Sequence, residues 1–253
     1  MVQRMPPGAV DPHRLAHGGP GDTEDASRRS QRLQILATEH WSLLATRSLS
    51  WSESFSRATM FLTVLSGAVV GLALVAQATR FSSDFVLFAV LLLPVVLFMG
   101  GATFVRLVEV NNEDARWVAG MNRLRHAYIE MEPELEPYFT SGWTDDRAGF
   151  ERTYGIVEHG SSYMHGFITT PATVGFVNCM VAAVLAGVLV GQVWDVAMDS
   201  LIPVLTGAGV FLAALAIQAG FTIRSSARYE RQHRALFPPL EPSSGAGTPP
   251  PHD

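Results

Sequence analysis

The sequence predicts an all-α membrane protein with four transmembrane helices in two hairpins, accompanied by amphipathic or coiled-coil-like cytoplasmic helices. Three observations predict this fold. Only 16% of the 253 residues are charged, whereas 48% are hydrophobic, and a soluble domain usually carries about 25% charged residues. The apolar residues are concentrated in four long runs. Arginine-rich segments alternate along the chain with arginine-poor loops.

Each of the four apolar runs has the length of a membrane span and contains no charged side chain. The runs are 58–78, 85–105, 171–193 and 201–223. A helix rises 1.5 Å per residue, so each run forms a helix roughly 30 Å long, which matches the hydrocarbon core of a bilayer. Four buried helices of a soluble protein would need more amphipathic chain to cover them than is present. We therefore expect two hairpins, 58–105 and 171–223.

The distribution of arginine predicts the orientation of the spans. The segments before the first span, between the second and third, and after the fourth are rich in arginine, whereas the loop at 194–200 has none. Arginine is retained on the cytoplasmic side of the membrane, and an even number of spans places all three rich segments there. The sequence therefore predicts a multi-pass plasma-membrane protein with cytoplasmic N- and C-termini. Trp194 is placed to anchor the third span at the interface.

The polar segments differ in how much structure they predict. Residues 1–26 are rich in Pro, Gly and charge and predict a disordered tail, without the apolar core of a signal peptide. Residues 27–57 predict one amphipathic helix that runs toward the first span. Residues 106–170 predict a cytoplasmic helical segment, and residues 224–253 a cytoplasmic, largely disordered tail.

A heptad pattern begins where the second span ends, and Pro133 stops it. Its a and d positions are Leu107, Val110, Asp114, Trp117, Met121, Leu124, Tyr128 and Met131. The stripe can join subunits, or it can pack on the 27–57 helix of its own chain, and the sequence does not separate these alternatives. If it joins subunits, removing the polar member with Asp114→Leu should strengthen the assembly.

Small residues predict close contacts between spans. Gly67 and Gly71 form a GxxxG pattern in the first span, and Gly187 and Gly191 form another in the third. Without Cβ atoms, helix backbones can approach closely, and such packing drives association in lipid. The pattern does not indicate whether the contacts lie within one chain or between chains.

Several classes of function are not indicated by the residues. The net charge of −5 shows no basic excess, so no nucleic-acid partner is expected. The spans hold no ionisable group of the kind that ion-coupled carriers use, and Asn178 is more typical of an interhelical hydrogen bond than of a pore lining. Pro133 and Pro137 interrupt the acidic run 130–136, which predicts a solvated turn. We expect no catalytic site, cofactor or metal, and no enzymatic activity.

Two stretches carry a resemblance. RATMFLTVLSGAVVGLALVAQA (57–78) and EDARWVAGMNRLRHAYIEMEPELEPYF (113–139) resemble an uncharacterised family of bacterial integral membrane proteins over about residues 30–235. Its members have no assigned activity, so the resemblance implies no functional residue. The architecture is also similar, more loosely, to SLATT-type effector modules, which implies membrane-disrupting pores.

Two functional hypotheses remain from the sequence. The first is a homo-oligomeric pore or membrane effector, in which the spans self-associate and the heptad stripe couples subunits. The second is a non-conducting scaffold or sensor that holds an unidentified cytoplasmic partner. Both have the lipid bilayer as an immediate partner.

Overall fold

The computed structural model describes residues 20–155, 169–194 and 200–237. All of the regular structure in these ranges is helical. The elements are α1 (Pro20–Thr79), α2 (Ser83–Met131), a 3₁₀ helix (Pro133–Tyr138), α3 (Arg147–Tyr154), α4 (Thr170–Val193) and α5 (Leu201–Gln232).

Four of these helices, α1, α2, α4 and α5, are long and apolar enough to cross a membrane. Each contains one of the four predicted apolar runs. The prediction of an all-helical chain with four long apolar helices is therefore confirmed, and the chain is compatible with a multi-pass membrane protein.

Helix α1 begins inside the segment 1–26 that composition predicts to be disordered. A proline in the first turn leaves no N–H that needs an intrahelical partner, and Arg28 forms an ion pair with Glu24 one turn before it. The remainder of that segment, 1–19, lies outside the described residues. The described residues divide into two units, one that ends at Ser42 and one that begins at Leu43.

Helix α2 joins the second apolar run and the heptad stripe in one uninterrupted helix. It follows a tight turn in which Arg80 and Phe81 have positive φ, and the Ser82 side chain caps it by accepting from the Asp84 backbone N–H. Pro94 lies inside the helix. Pro133 lacks the N–H that a further turn would need, so α2 ends at Met131 as predicted.

Helix α5 extends beyond the fourth apolar run to Gln232. The first part of the segment 224–253, for which a largely disordered tail was predicted, is thus helical, and no glycine or proline interrupts residues 224–232. The next five residues pack against Asp145, as described below. Residues 238–253 lie outside the described part of the chain.

The core of the apolar region is filled by packed apolar side chains. Phe61 of α1, Val96 of α2 and Val174 of α4 are fully buried, and Phe104 of α2 packs against Phe221 of α5 with ring centroids 6.2 Å apart. Polar side chains are almost excluded from this core. We call the polar parts of the unit that begins at Leu43 the polar end: residues 43–57 of α1, 106–131 of α2 and 224–237, with the 3₁₀ helix and α3.

Candidate functional site

Asp114 is the centre of a buried polar cluster at the polar end. Its side chain, on α2, is 3% exposed. Its Oδ1 accepts from Arg47 Nε at 2.7 Å and from Trp51 Nε1 at 3.0 Å, and its Oδ2 accepts from Arg47 Nη2 at 3.2 Å. The Tyr154 hydroxyl also donates to Oδ2. The Asp114 cluster (Arg47, Trp51, Asp114 and Tyr154) thus satisfies a buried carboxylate with three side chains.

Helix periodicity positions the donors of this cluster. Arg47 and Trp51 are four residues apart on α1 and therefore share one face. Tyr154 is the last residue of α3, which the left-handed Gly155 terminates, and the Arg47 guanidinium lies 5.6 Å from the centre of its ring. The cluster consequently ties α1, α2 and α3 together at one point.

Burial and the neighbouring charges shift the pKa values of two members of the cluster, Tyr154 and Arg47. Burial raises the pKa of Tyr154 well above its usual range, and its hydrogen bond to the Asp114 carboxylate adds to this effect. Burial alone would lower the pKa of Arg47, but the Asp114 carboxylate outweighs burial and raises it. Tyr154 is therefore a neutral donor and Arg47 a cation at physiological pH.

Asn122 fixes the loop before α3 onto α2. This fully buried side chain donates from Nδ2 to the Thr144 carbonyl at 2.9 Å. Its Oδ1 accepts from Arg125 Nη1 at 2.7 Å and from Thr153 Oγ1 at 3.0 Å. The side-chain amide thus uses both its N–H donor and its oxygen acceptor to hold α3 and the loop in place.

Asp145 binds the chain that follows α5. Its Oδ2 accepts from Arg123 Nε at 2.7 Å. Its carboxylate also accepts the backbone N–H of Leu236, at 2.9 Å to the nearer oxygen, and of Phe237 at 2.8 Å. The Asp145 carbonyl lies 2.7 Å from His233 Nε2, which donates to it. We call these five residues the Asp145 contact.

The ionisation of Asp145 follows from this contact. Burial by itself raises the pKa of the carboxyl, but the N–H groups of Leu236 and Phe237, with the Arg123 guanidinium, outweigh burial and hold the pKa below its usual value. The contact is therefore made by a carboxylate anion. A further ring contact supports it, because His126 stacks on Phe237 with centroids 4.5 Å apart.

A cleft of about 380 Å³ lies between α2 and the end of α5. Its lining consists of Arg116, Ala119, Gly120, Arg123, Tyr229, Gln232 and His233. The Arg116 guanidinium lies 5.8 Å from the centre of the Tyr229 ring. The Tyr229 and His233 rings are stacked at 5.6 Å, so the lining of the cleft includes three flat groups.

The heptad stripe lies against other parts of its own chain over much of its length. Leu107, Val110, Asp114 and Met121 are buried, whereas Trp117, Leu124, Tyr128 and Met131 are partly buried. The polar member, Asp114, meets α1 of its own chain, in the geometry of the second alternative that the sequence left open. Trp117 Nε1 is buried and has no hydrogen-bond partner among the described residues.

The four predicted packing glycines occupy different environments. A Cβ at Gly67 would meet nothing within 4 Å, and one at Gly71 would make ordinary contact with the Phe88 ring. Gly187 faces the backbone of α5, where a Cβ would lie 3.4 Å from the Pro203 carbonyl oxygen. Gly191 is buried in α4.

Two tight contacts between helices are made by glycines that the GxxxG pattern did not select, and in both the facing atom belongs to a side-chain amide. A Cβ at Gly100 would lie 2.2 Å from Asn178 Oδ1, and one at Gly175 would lie 2.4 Å from Gln218 Oε1. Asn178 thus packs into the groove that Gly100 leaves on α2, and its Oδ1 has no hydrogen-bond partner among the described residues. In the sequence, the adjacent pair Gly100–Gly101 was the pattern that could have indicated this tight contact.

The sequence analysis also did not assign Arg47, Trp51, Tyr154 and Asp145 to a site. Each is separated from its main partner by 22 or more positions. The sequence did indicate that Asp114 needs a partner, because a carboxylate in an apolar stripe is stable only beside a cation or other donors. It did not indicate which of the 18 arginines is that partner.

In the described ranges, no group of three or more His, Cys, Asp or Glu side chains is placed to hold a metal ion. The acidic residues Glu132, Glu134 and Glu136 lie exposed around the 3₁₀ helix. No family model matches the chain, and no curated protein or solved structure is similar to it. The resemblance to a bacterial membrane family therefore stays a prediction.

Proposed function

We propose that this chain is a four-span plasma-membrane protein with cytoplasmic termini, and that it acts as a non-conducting sensor or scaffold for a cytoplasmic partner. The observation that carries this proposal is the Asp114 cluster. Among the described residues, it joins side chains of α1, α2 and α3 around one buried carboxylate, which orders them as one surface at the polar end. A preorganised surface lowers the cost of binding a partner.

The apolar core supports the absence of conduction by a single chain. An ion path needs polar groups or water along the whole span. Between α1, α2 and α4 the core is filled by side chains such as Phe61, Val96 and Val174. The polar Asn178 in this layer packs against Gly100 and is closed off from solvent.

Exposed apolar side chains at the polar end support a partner. Leu135 and Tyr138 on the 3₁₀ helix are exposed, although the apolar runs of the membrane layer lie elsewhere in the chain. Apolar side chains exposed together mark interaction surfaces more often than scattered ones do. The short 3₁₀ helix follows directly after α2 and so presents them at the end of a long, rigid helix.

The arrangement as two hairpins with cytoplasmic termini is supported by the short α1–α2 turn and by contacts between α4 and α5. The Phe176 and Phe211 rings meet edge-to-face at 5.5 Å. Reporter fusions after Arg80 and Asp195 should be active only outside the cell, and fusions after Asp145 and Arg234 only inside. Activity of a periplasm-specific reporter at Asp145 or Arg234 would contradict this topology.

Conduction separates the proposal from its main competitor. Purified protein reconstituted in planar bilayers should give no single-channel current across ±100 mV (about the range of cellular potentials). A reproducible conductance that grows with protein content and disappears when the protein is omitted would overturn the proposed function.

The second candidate is a homo-oligomeric pore or membrane effector. It is favoured by Gly67, Gly209 and Gly220, whose Cβ directions are open in the chain and could admit a neighbouring helix. In a Cys179→Ser background, Leu124→Cys should give a dimer band on mild oxidation if the heptad stripe joins subunits. We expect none, with Arg125→Cys as the control for random collision. A band specific to Leu124→Cys would favour the oligomer.

A further inference from the structure

The cleft between α2 and α5 has an unbalanced lining. Two guanidinium groups and one imidazole belong to its lining, and the Asp145 carboxylate is paired with one of these guanidinium groups, that of Arg123. Arg116 has no acidic partner among the described residues, and its guanidinium lies over the face of the Tyr229 ring. The volume of the cleft, about 380 Å³, falls within the range of roughly 300–1,000 Å³ that small-molecule sites occupy.

The second arginine, Arg123, is held in place by bonds that use only part of its guanidinium group. Arg123 Nε binds Asp145, and Nη2 donates to the Arg234 carbonyl at 3.3 Å. These two bonds fix the plane of the guanidinium at the cleft wall, and within the described residues no hydrogen bond is made by Nη1. Because His233 Nε2 donates to the Asp145 carbonyl, its Nδ1 is the acceptor of the neutral ring, so His233 contributes its ring face to the cleft.

The cleft is closed toward the membrane. Asn112 Nδ2 donates to Ser225 Oγ at 2.8 Å, one turn of each helix nearer the apolar runs. The ring contact between Phe104 and Phe221 follows below it. These contacts join α2 to α5 between the cleft and the lipid, so the cleft opens to the aqueous side.

Helix length places the cleft above the lipid headgroups. Arg116 lies eleven residues beyond the second apolar run, or about 16 Å along α2, and Tyr229 lies about 9 Å beyond the fourth run along α5. The headgroup region adds only about 5–8 Å on each side of the hydrocarbon core. A lipid phosphate therefore sits below the cleft, whereas a dissolved one reaches it freely.

We propose that this cleft binds a phosphate-bearing small molecule from the aqueous phase, with Arg116 and Arg123 as donors to its phosphate oxygens. Guanidinium groups bind phosphate through paired, charge-assisted hydrogen bonds. The stacked Tyr229 and His233 rings offer a flat surface to the remainder of the ligand. The inference rests on the proposed sensor function and supplies its ligand class.

Pyrophosphate is the probe, titrated calorimetrically into full-length protein in phosphatidylcholine nanodiscs at physiological ionic strength, which screens non-specific attraction. Saturable binding is expected. Arg116→Gln should weaken it by at least about tenfold, the effect of one charge-assisted hydrogen bond, and Arg116→Lys by less. Arg228→Gln is the matched control, because Arg228 is an exposed arginine on α5 outside the cleft lining.

Arg116→Gln should leave the thermal midpoint of the unliganded protein close to that of the parent, since Arg116 is exposed and makes no ion pair with any described residue. Equal weakening by Arg116→Gln and Arg228→Gln, or no pyrophosphate binding by folded parent protein, would overturn the site. Binding that appears only with anionic lipid in the nanodisc, and is lost in Arg116→Gln, would overturn the soluble source. A conducting protein that still binds pyrophosphate would refute the proposed function while leaving the cleft intact.

Discussion

Asp114 and Asn178 are both buried polar side chains on long helices, but the two regions that contain them differ in how far they satisfy the hydrogen-bonding groups of the buried side chain. Asp114, 3% exposed, accepts hydrogen bonds from three side chains at the polar end. Asn178, 5% exposed, lies in the apolar region with an Oδ1 that accepts none among the described residues. In the apolar region, α2 and α4 are held together by close packing of Asn178 against Gly100. At the polar end, the helices are held together by hydrogen bonds and an ion pair.

The largest effect is expected from removing the centre of the polar end. Asp114→Leu leaves Arg47 and Tyr154 without an acceptor, and breaking a buried ion pair in this way costs about 3 kcal/mol of unfolding free energy. Denaturant unfolding in detergent micelles measures it. This sign is opposite to the strengthening expected if Asp114 lay in a seam between subunits.

Glu109→Leu is the matched control for that variant. Glu109 lies on the same helix, its side chain is 53% exposed, and it contacts Arg106 only at 3.4 Å. Exposed pairs contribute little, so the control should stay within about 0.5 kcal/mol of the parent. Equal losses in the two variants would show that the Asp114 cluster does not hold the polar end together.

The apolar region should instead be sensitive to a single methyl group. Gly100→Ala places a Cβ 2.2 Å from Asn178 Oδ1 and 2.7 Å from the Phe61 ring, and overpacking of this kind costs about 1–3 kcal/mol. Gly209→Ala adds the same methyl group to an open helix face and should cost almost nothing. The same unfolding assay compares them, and similar stabilities would mean that shape does not join these helices.

The smallest effect is local and depends on pH. The pKa of Asp145 is depressed in the folded chain, so its stabilising contribution is present above the unfolded pKa of about 3.9 and is lost as pH falls through the lower folded value. Hydrogen exchange at Leu236 and Phe237 should be slow at pH 7, and the contact should open under strongly acidic conditions. Asp145→Asn should speed this exchange about tenfold at pH 7, whereas Asp146→Asn should leave it unchanged.

The sequence predicted the apolar region better than the polar end, for a physical reason. Membrane spans are defined by length and composition, which are local properties, so 85–105 and 171–193 were found without knowledge of neighbours. The acceptor role of Asp114 depends on which arginine the fold brings to it. The role of Gly100 likewise depends on the residue that faces it, and a spacing rule such as GxxxG holds no information about that residue.

Helix α5 extends beyond the fourth apolar run to Gln232. Residues 224–232 contain no glycine or proline. Polarity ends a span but does not end a helix, because the backbone hydrogen bonds continue into water without cost. The Asp145 contact then orders the chain beyond the helix, using backbone N–H groups that carry no sequence signature.

Helix α2 has a mechanical consequence because it is continuous from Ser83 to Met131. The portion beyond the apolar run is about 39 Å long at 1.5 Å per residue, so a change of about 5° in the tilt of the span moves its far end by about 3 Å. Spans tilt to match bilayer thickness. In a bilayer, a tilt of this size would displace the 3₁₀ helix at the far end of α2, and bilayers of shorter acyl chains should alter hydrogen exchange around Tyr138.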